Sequence, residues 1–115
     1  MKKKTPLPAE LLEHVANVFR VLGDPSRLAI LQALMSGPKN VTQVVRQTGM
    51  GQANVSKHLG VLADARLVSR TKEGTQVIYE VTDPLVPRLC DMVCGSVRAG
   101  MARQVRANQR VLKKT

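Results

Sequence analysis

Hydrophobic residues recur along most of this chain at intervals of three and four. Between Ala9 and Leu22 they fall at Leu11, Leu12, Val15, Val18, Phe19 and Leu22, a wider apolar face than a surface helix requires. Gly23 follows, a residue common just past a helix end. Asp24-Pro25 reads as the next start, with aspartate accepting from free N–H groups and proline in the first turn. That helix runs from Pro25 to about Ser36, where Gly37-Pro38 stops it, and Leu28, Ile30, Leu31, Leu34 and Met35 are its predicted buried residues. Val41, Val44 and Val45 mark a short third helix, and Gly49-Met50-Gly51 permits a sharp reversal. Val55, Leu59, Leu62 and Ala63 then form one stripe of a fourth helix. After Leu67 the period drops from about 3.6 to about 2. A strand is predicted over Leu67 to Lys72, a tight turn at Glu73-Gly74, and a returning strand from Thr75 to Val81. Val77, Tyr79 and Val81 share one face of that strand; Gln76, Ile78 and Glu80 share the other. Asp83-Pro84 repeats the cap-plus-proline start before a long helix from about Leu85 to Arg110, striped by Leu85, Leu89, Met92, Val93, Val97 and Met101. Gly95 and Gly100 weaken that helix or allow another helix to approach closely.

The predicted fold is therefore mainly α with a β-hairpin wing, in the order α-α-α-α-β-β-α, which is the order of a winged helix-turn-helix. The stretch from Val41 to Leu67 is its centre. Gln52, Ala53, Asn54, Ser56 and Lys57 stand at the open N-terminal end of the fourth helix, where a recognition helix reaches base edges from the major groove. Gln52 and Asn54 suit bidentate pairing with adenine, Lys57 suits guanine or phosphate, Ala53 a thymine methyl, and Ser56 a phosphate or a base. At the wing, Arg70, Lys72, Thr75 and Gln76 gather near the hairpin tip; Arg70 and Lys72 suit phosphate or the minor groove. The first and last helices carry more apolar surface than one small domain needs, which predicts a two-fold dimer through residues about 9–22 and 85–101. Residues 1–8 read as a flexible basic arm, 9–97 as the DNA-binding domain, and 98–115 as a basic C-terminal helix extension or tail.

A length of 115 residues suits one domain with a core of its own. With one Phe, one Tyr and no Trp, that core must be aliphatic. The formal net charge of +10, from 18 basic and 8 acidic residues, favours polyanions. The excess is concentrated at Lys2 to Lys4, read as a solvated terminus, and at Arg98, Arg103, Arg106, Arg110, Lys113 and Lys114, with no acid after Asp91. No apolar run approaches the roughly 20 residues of a membrane span, and MKKKTPLP has no apolar stretch behind its lysines. A cytoplasmic protein without membrane partners is expected. A Ser-His-acid set, a Gly-rich phosphate loop and a metal-hydrolase spacing are all missing, so an enzyme is not expected.

Three stretches resemble one family in detail: FRVLGDPSRLAILQAL (Phe19 to Leu34), VSKHLGVLADARLV (Val55 to Val68) and RTKEGTQVIYEVTD (Arg70 to Asp83). They are similar to the ArsR/SmtB group of small dimeric transcriptional repressors, over most of residues 9–95. The resemblance implies a dimer on double-stranded operator DNA, released by an inducer that is often a metal ion or a thiol-reactive species. It also places the DNA-reading helix on Gln52 to Ala65. His58 occupies the family's Ser-basic-His-Leu position and reads as a packed or hydrogen-bonded residue. The alternative is a winged-helix module with an architectural or protein-binding role and no inducer.

The sensing sites of the best-known members are absent. Thr42-Gln43-Val44-Val45 stands where the arsenic sensors carry Cys-Val-Cys, and no histidine follows His58 where the zinc sensors carry Asp/His pairs. What remains is Cys90 and Cys94, four residues apart on one side of the last helix, roughly 6 Å apart at Cα. They are expected to be thiols. That spacing suits a shared soft metal or metalloid ion, such as arsenite, cadmium or copper(I), or a persulfide or oxidant signal. Tetrahedral zinc would need further ligands from the other chain or from His14. Arg88 and Arg98 are expected to lower a thiol pKa. Equally, a cysteine beside Leu89 and Val93 serves as a small hydrophobe.

Overall fold

The structure is a computed structural model and describes residues 5–113. The lysine block at residues 2–4 lies outside the described residues, as does Lys114. The chain divides into two compact units, residues 1–83 and 84–115.

The first unit holds four helices and a hairpin: α1 (Ala9–Leu22), α2 (Pro25–Met35), α3 (Val41–Thr48), α4 (Gln52–Asp64), β1 (Ser69–Glu73) and β2 (Gln76–Glu80). Asp24 caps α2 as its sequence predicts, its carboxylate accepting from the backbone N–H of Ser26 at 2.9 Å and of Arg27 at 3.1 Å. α3 opens with a capping box: Asn40 accepts from the Gln43 N–H, and the Gln43 side chain accepts from the Asn40 N–H. Gly49 closes α3 in the left-handed region, at φ 73°, where a side chain is strained. Gly23, by contrast, ends α1 at φ −81°, an ordinary conformation. Its lack of a side chain matters for space, because a Cβ there would stand 3.2 Å from the Phe19 carbonyl oxygen.

α2 is the centre of the packing, in contact with α1, α3, α4 and β2. Ile30, Leu31, Ala33 and Leu34 are buried on it, with Val44 from α3 and Val55, Leu59 and Leu62 from α4. Leu28 and Met35, predicted as core, are exposed instead. Both lie off the sides of α2 that its neighbouring elements cover, and an apolar count along the helix does not say which side stays open. The residue after α4 is also unexpected. Arg66 adopts φ 61°, and the Leu67 N–H donates back to the Leu62 carbonyl, closing the helix without glycine and turning Leu67 and Val68 into the core.

The hairpin is antiparallel, pairing Arg70 with Tyr79, Lys72 with Val77 and Glu73 with Gln76. Its turn is Gly74-Thr75, one residue later than the expected Glu73-Gly74, because Gly74 takes the left-handed position at φ 63°. The hairpin is also stitched to the α2–α3 connection. The Lys39 N–H donates to the Tyr79 carbonyl at 3.0 Å, and the Tyr79 N–H donates back at 2.9 Å. Tyr79 is buried, and its apolar body anchors the strand where the ladder ends.

The second unit is one helix, α5 (Leu85–Lys113), 29 residues long. It runs past the expected end at Arg110, so residues 98–113 continue as helix.

Candidate nucleic-acid interface

α4 separates its two sides cleanly. Val55, His58, Leu59 and Leu62 are buried, while Gln52, Ala53, Asn54, Ser56 and Lys57 are exposed. The sequence-predicted set therefore shares the solvent-facing side of the helix's N-terminal half. The turn before it is held locally: the Thr48 hydroxyl donates to the Val44 carbonyl at 2.8 Å and accepts from the Met50 N–H at 3.3 Å. Gly51 is the N-cap and supplies no side chain, so nothing covers the first turn of α4 from that position.

The buried side of α4 is positioned by Arg27, a residue that periodicity did not single out. Its Nε donates to the Val21 carbonyl at 2.6 Å, its Nη1 to His58 Nδ1 at 3.3 Å, and its Nη2 to the Arg20 carbonyl at 3.5 Å. A guanidinium has no acceptor, so His58 Nδ1 must accept, which places the ring proton on Nε2. His58 is thus a packed, hydrogen-bonded residue, and one side chain joins the end of α1 to the recognition helix. Asp24 completes the group. Its carboxyl is held below the usual range by the backbone N–H of Arg27 foremost, then by the Arg27 charge and the Ser26 N–H, against an opposing effect of burial.

The wing candidates do not form one surface. Arg70 and Lys72 are exposed and, by their pairing with Tyr79 and Val77, lie on one face of the ladder. Gln76 lies on the other face, where its side-chain oxygen accepts from Asn40 Nδ2 at 3.4 Å. Thr75 sits in the turn. Asn40 therefore caps α3 and also touches the wing, a link that its N-x-x-Q spacing half announces.

On α5, Cys90 is half-buried and Cys94 exposed, and both are free thiols. Helical geometry sets them on one stripe with Val97, Met101 and Val105, the last three exposed. Burial pushes the Cys90 thiol up, with Cys94 and Asp91 adding to the effect. This overturns the expected activation by Arg88 and Arg98, because both are exposed and hydration weakens their field at the thiol. Among the described residues, no group of three or more His, Cys, Asp and Glu is placed to hold a metal ion, and no helix is long and apolar enough to cross a membrane.

Comparison with known proteins agrees with this geometry. The model of the bacterial regulatory protein arsR family matches residues 24–70, which run from the α2 cap to the first wing strand. The chain is 36% identical over 87 residues to a probable mercury resistance operon repressor of Streptomyces lividans, covering 76% of this chain and 67% of that one. It is 36% identical over 90 residues to the HTH-type transcriptional regulator NmtR of Mycobacterium tuberculosis, covering 78% and 75%. In structure it is similar to a homodimeric winged helix-turn-helix DNA-binding domain from Mycobacterium bovis, a possible ArsR-family transcriptional regulator. The TM-score is 0.73 at 32% identity, with 85% of this chain and 91% of that one covered. Four helices and a hairpin, matched across that length, identify the chain as a member of the ArsR family of winged helix-turn-helix transcriptional regulators: a DNA-binding repressor and not an enzyme.

Proposed function

We propose that this repressor binds operator DNA as a homodimer, reading bases with Gln52, Ala53, Asn54, Ser56 and Lys57 and holding phosphate with Arg70 and Lys72. The carrying observation is the bare N-terminal half of α4, whose opposite side is fully committed to the core. Thr75 is assigned to the same phosphate contact by its place in the turn. Gln76 is assigned a supporting role, because its side chain already meets Asn40. Apolar faces on α1 (Leu11, Leu12, Val15 and Phe19, the last 60% exposed) and on α5 (Met92, Val93, Val97 and Met101) are the surfaces that a second copy would cover. The homodimeric Mycobacterium bovis relative supports that assembly. A cytoplasmic location follows from the DNA partner.

The inducer is proposed to act at Cys90 and Cys94. Among the described residues no third ligand is grouped with the two thiols, so a soft metal or metalloid ion would be shared with the second chain's thiols. The relative in a mercury resistance operon favours such an ion. An oxidant or persulfide would use the same pair.

Footprinting tests the DNA reading: a short inverted repeat at fixed phasing supports it, and the absence of any discrete site refutes it. Asn54→Ala should loosen sequence preference, while Lys72→Ala should weaken all DNA alike and flatten the salt dependence by about one phosphate contact. Both variants keeping wild-type affinity and salt slope would refute the docking. For sensing, native mass spectrometry with arsenite, zinc and cadmium should show uptake that a Cys90→Ser/Cys94→Ser variant lacks. Release of that variant from DNA by the same inducer would remove the cysteines from the mechanism.

A further inference from the structure

The C-terminal half of α5 carries a cationic face that the recognition helix and wing do not account for. At 100° per residue, Arg103, Arg106, Arg110 and Lys113 fall within an arc of about 80°. The apolar stripe of Val97, Met101, Val105 and Leu112 lies on the opposite side of the same helix. Arg103, Arg106 and Arg110 border one open groove together with Ala107.

An ordinary solvated helix mixes acids among its bases, so that opposite charges meet three and four residues apart. Here no acid follows Asp91, and Arg103, Arg106 and Arg110 stand at like-charge spacings of three and four. Such spacings destabilise an isolated helix. The helix dipole accounts for cations only in the last turn, at Arg110 and Lys113, and not for Arg103 or Arg106. The run rises about 15 Å from Arg103 to Lys113, against about 3.4 Å per base-pair step along a DNA strand. Guanidinium forks match phosphate oxygens in pairs.

We propose that this face of α5 is a second DNA-contacting surface, which takes the phosphate backbone of a duplex without reading its sequence. The proposal rests on the chain's DNA binding and adds a contact outside the helix-turn-helix and wing. Those bases would set affinity, salt dependence and length of footprint, leaving base choice to α4.

The test is fluorescence anisotropy of the full chain with labelled duplexes between 50 and 200 mM salt. One duplex is the site selected from random DNA by the wild type, with long flanks; the other is a non-specific duplex of equal length. The variant is Arg103→Ala/Arg106→Ala/Arg110→Ala, in which alanine preserves helix propensity. Circular dichroism and sedimentation verify its helix content and oligomeric state. Three lost phosphate contacts should make the salt slope shallower by about 2.7, so that the wild type loses about 40-fold more affinity than the variant across that salt range. The selected base sequence should be unchanged. An unchanged salt slope on both duplexes overturns the proposal. So does a wild-type preference for anionic phosphatidylserine vesicles over DNA that the variant loses. The non-specific duplex separates this result from the operator reading: if selection yields no site, that reading fails, while the slope difference still decides the role of α5.

Discussion

Replacing Arg27 with alanine removes three hydrogen bonds from one point in the fold. The bond to the Val21 carbonyl is short at 2.6 Å, that to His58 Nδ1 is longer at 3.3 Å, and the third, to the Arg20 carbonyl, is at the limit of contact at 3.5 Å. Hydrogen bonds involving a charged group contribute about 1.5–3 kcal/mol each, and a buried partner left unpaired costs about 1–3 kcal/mol. His58 is only 8% exposed, so water reaches it poorly, whereas the Val21 carbonyl lies in a part-buried contact that water can partly replace. The expected loss is therefore about 2–4 kcal/mol, or about 10–20 °C in Tm for a unit of this size. Thermal unfolding followed at 222 nm, at fixed protomer concentration, measures it. Arg27→Lys should recover less than half, since one ammonium cannot span acceptors that the planar guanidinium reaches together. A double-mutant cycle with His58→Ala should give a coupling of about 1 kcal/mol. An Arg27→Ala protein melting within about 2 °C of the wild type, or a coupling of zero, would refute the idea that this side chain ties α1 to the recognition helix.

Asp24 provides a pH-dependent counterpart. Its folded pKa is depressed, so its contribution is present above the ordinary carboxylate range and is lost as pH falls through the folded value. The stability difference between wild type and Asp24→Asn should persist at neutral pH and shrink below about pH 4, as acid-titrated unfolding will test. Cys90 should alkylate with iodoacetamide slowly at neutral pH and gain rate only above the ordinary thiol range; peptide mass mapping reads this, and fast reaction at pH 7 would contradict its burial. Gly49→Ala should destabilise by about 1–2 kcal/mol through its left-handed backbone alone, since the surrounding space is open; urea titration giving no change would show that the turn relaxes.

The elements of this fold were legible because their punctuation is chemical. Gly23, the Asp24-Pro25 pair and Gly49 each carry a local rule and fell close to their places, while the switch to alternation expected after Leu67 begins two residues later, at Ser69, because Leu67 and Val68 turn into the core. The bare side of α4 was equally legible, since Val55, Leu59 and Leu62 declare the opposite side. Side-chain partners were less so. Nothing in the periodicity of Arg27 or His58 says that they meet across 31 positions, and Leu28 and Met35 carry core-like residue types at exposed places. The cysteine environment was misjudged for a related reason. Neighbouring arginines are visible in a sequence, but the burial that dominates Cys90 is not.

The paired main-chain bonds between Lys39 and Tyr79 make the hairpin the outer part of a three-segment clamp. Because amides and not side chains close it, the distance from wing tip to helix-turn-helix is indifferent to most substitutions at either residue. Side chains at the tip can then be exchanged one by one while the spacing between hairpin and helix-turn-helix is kept by the main chain.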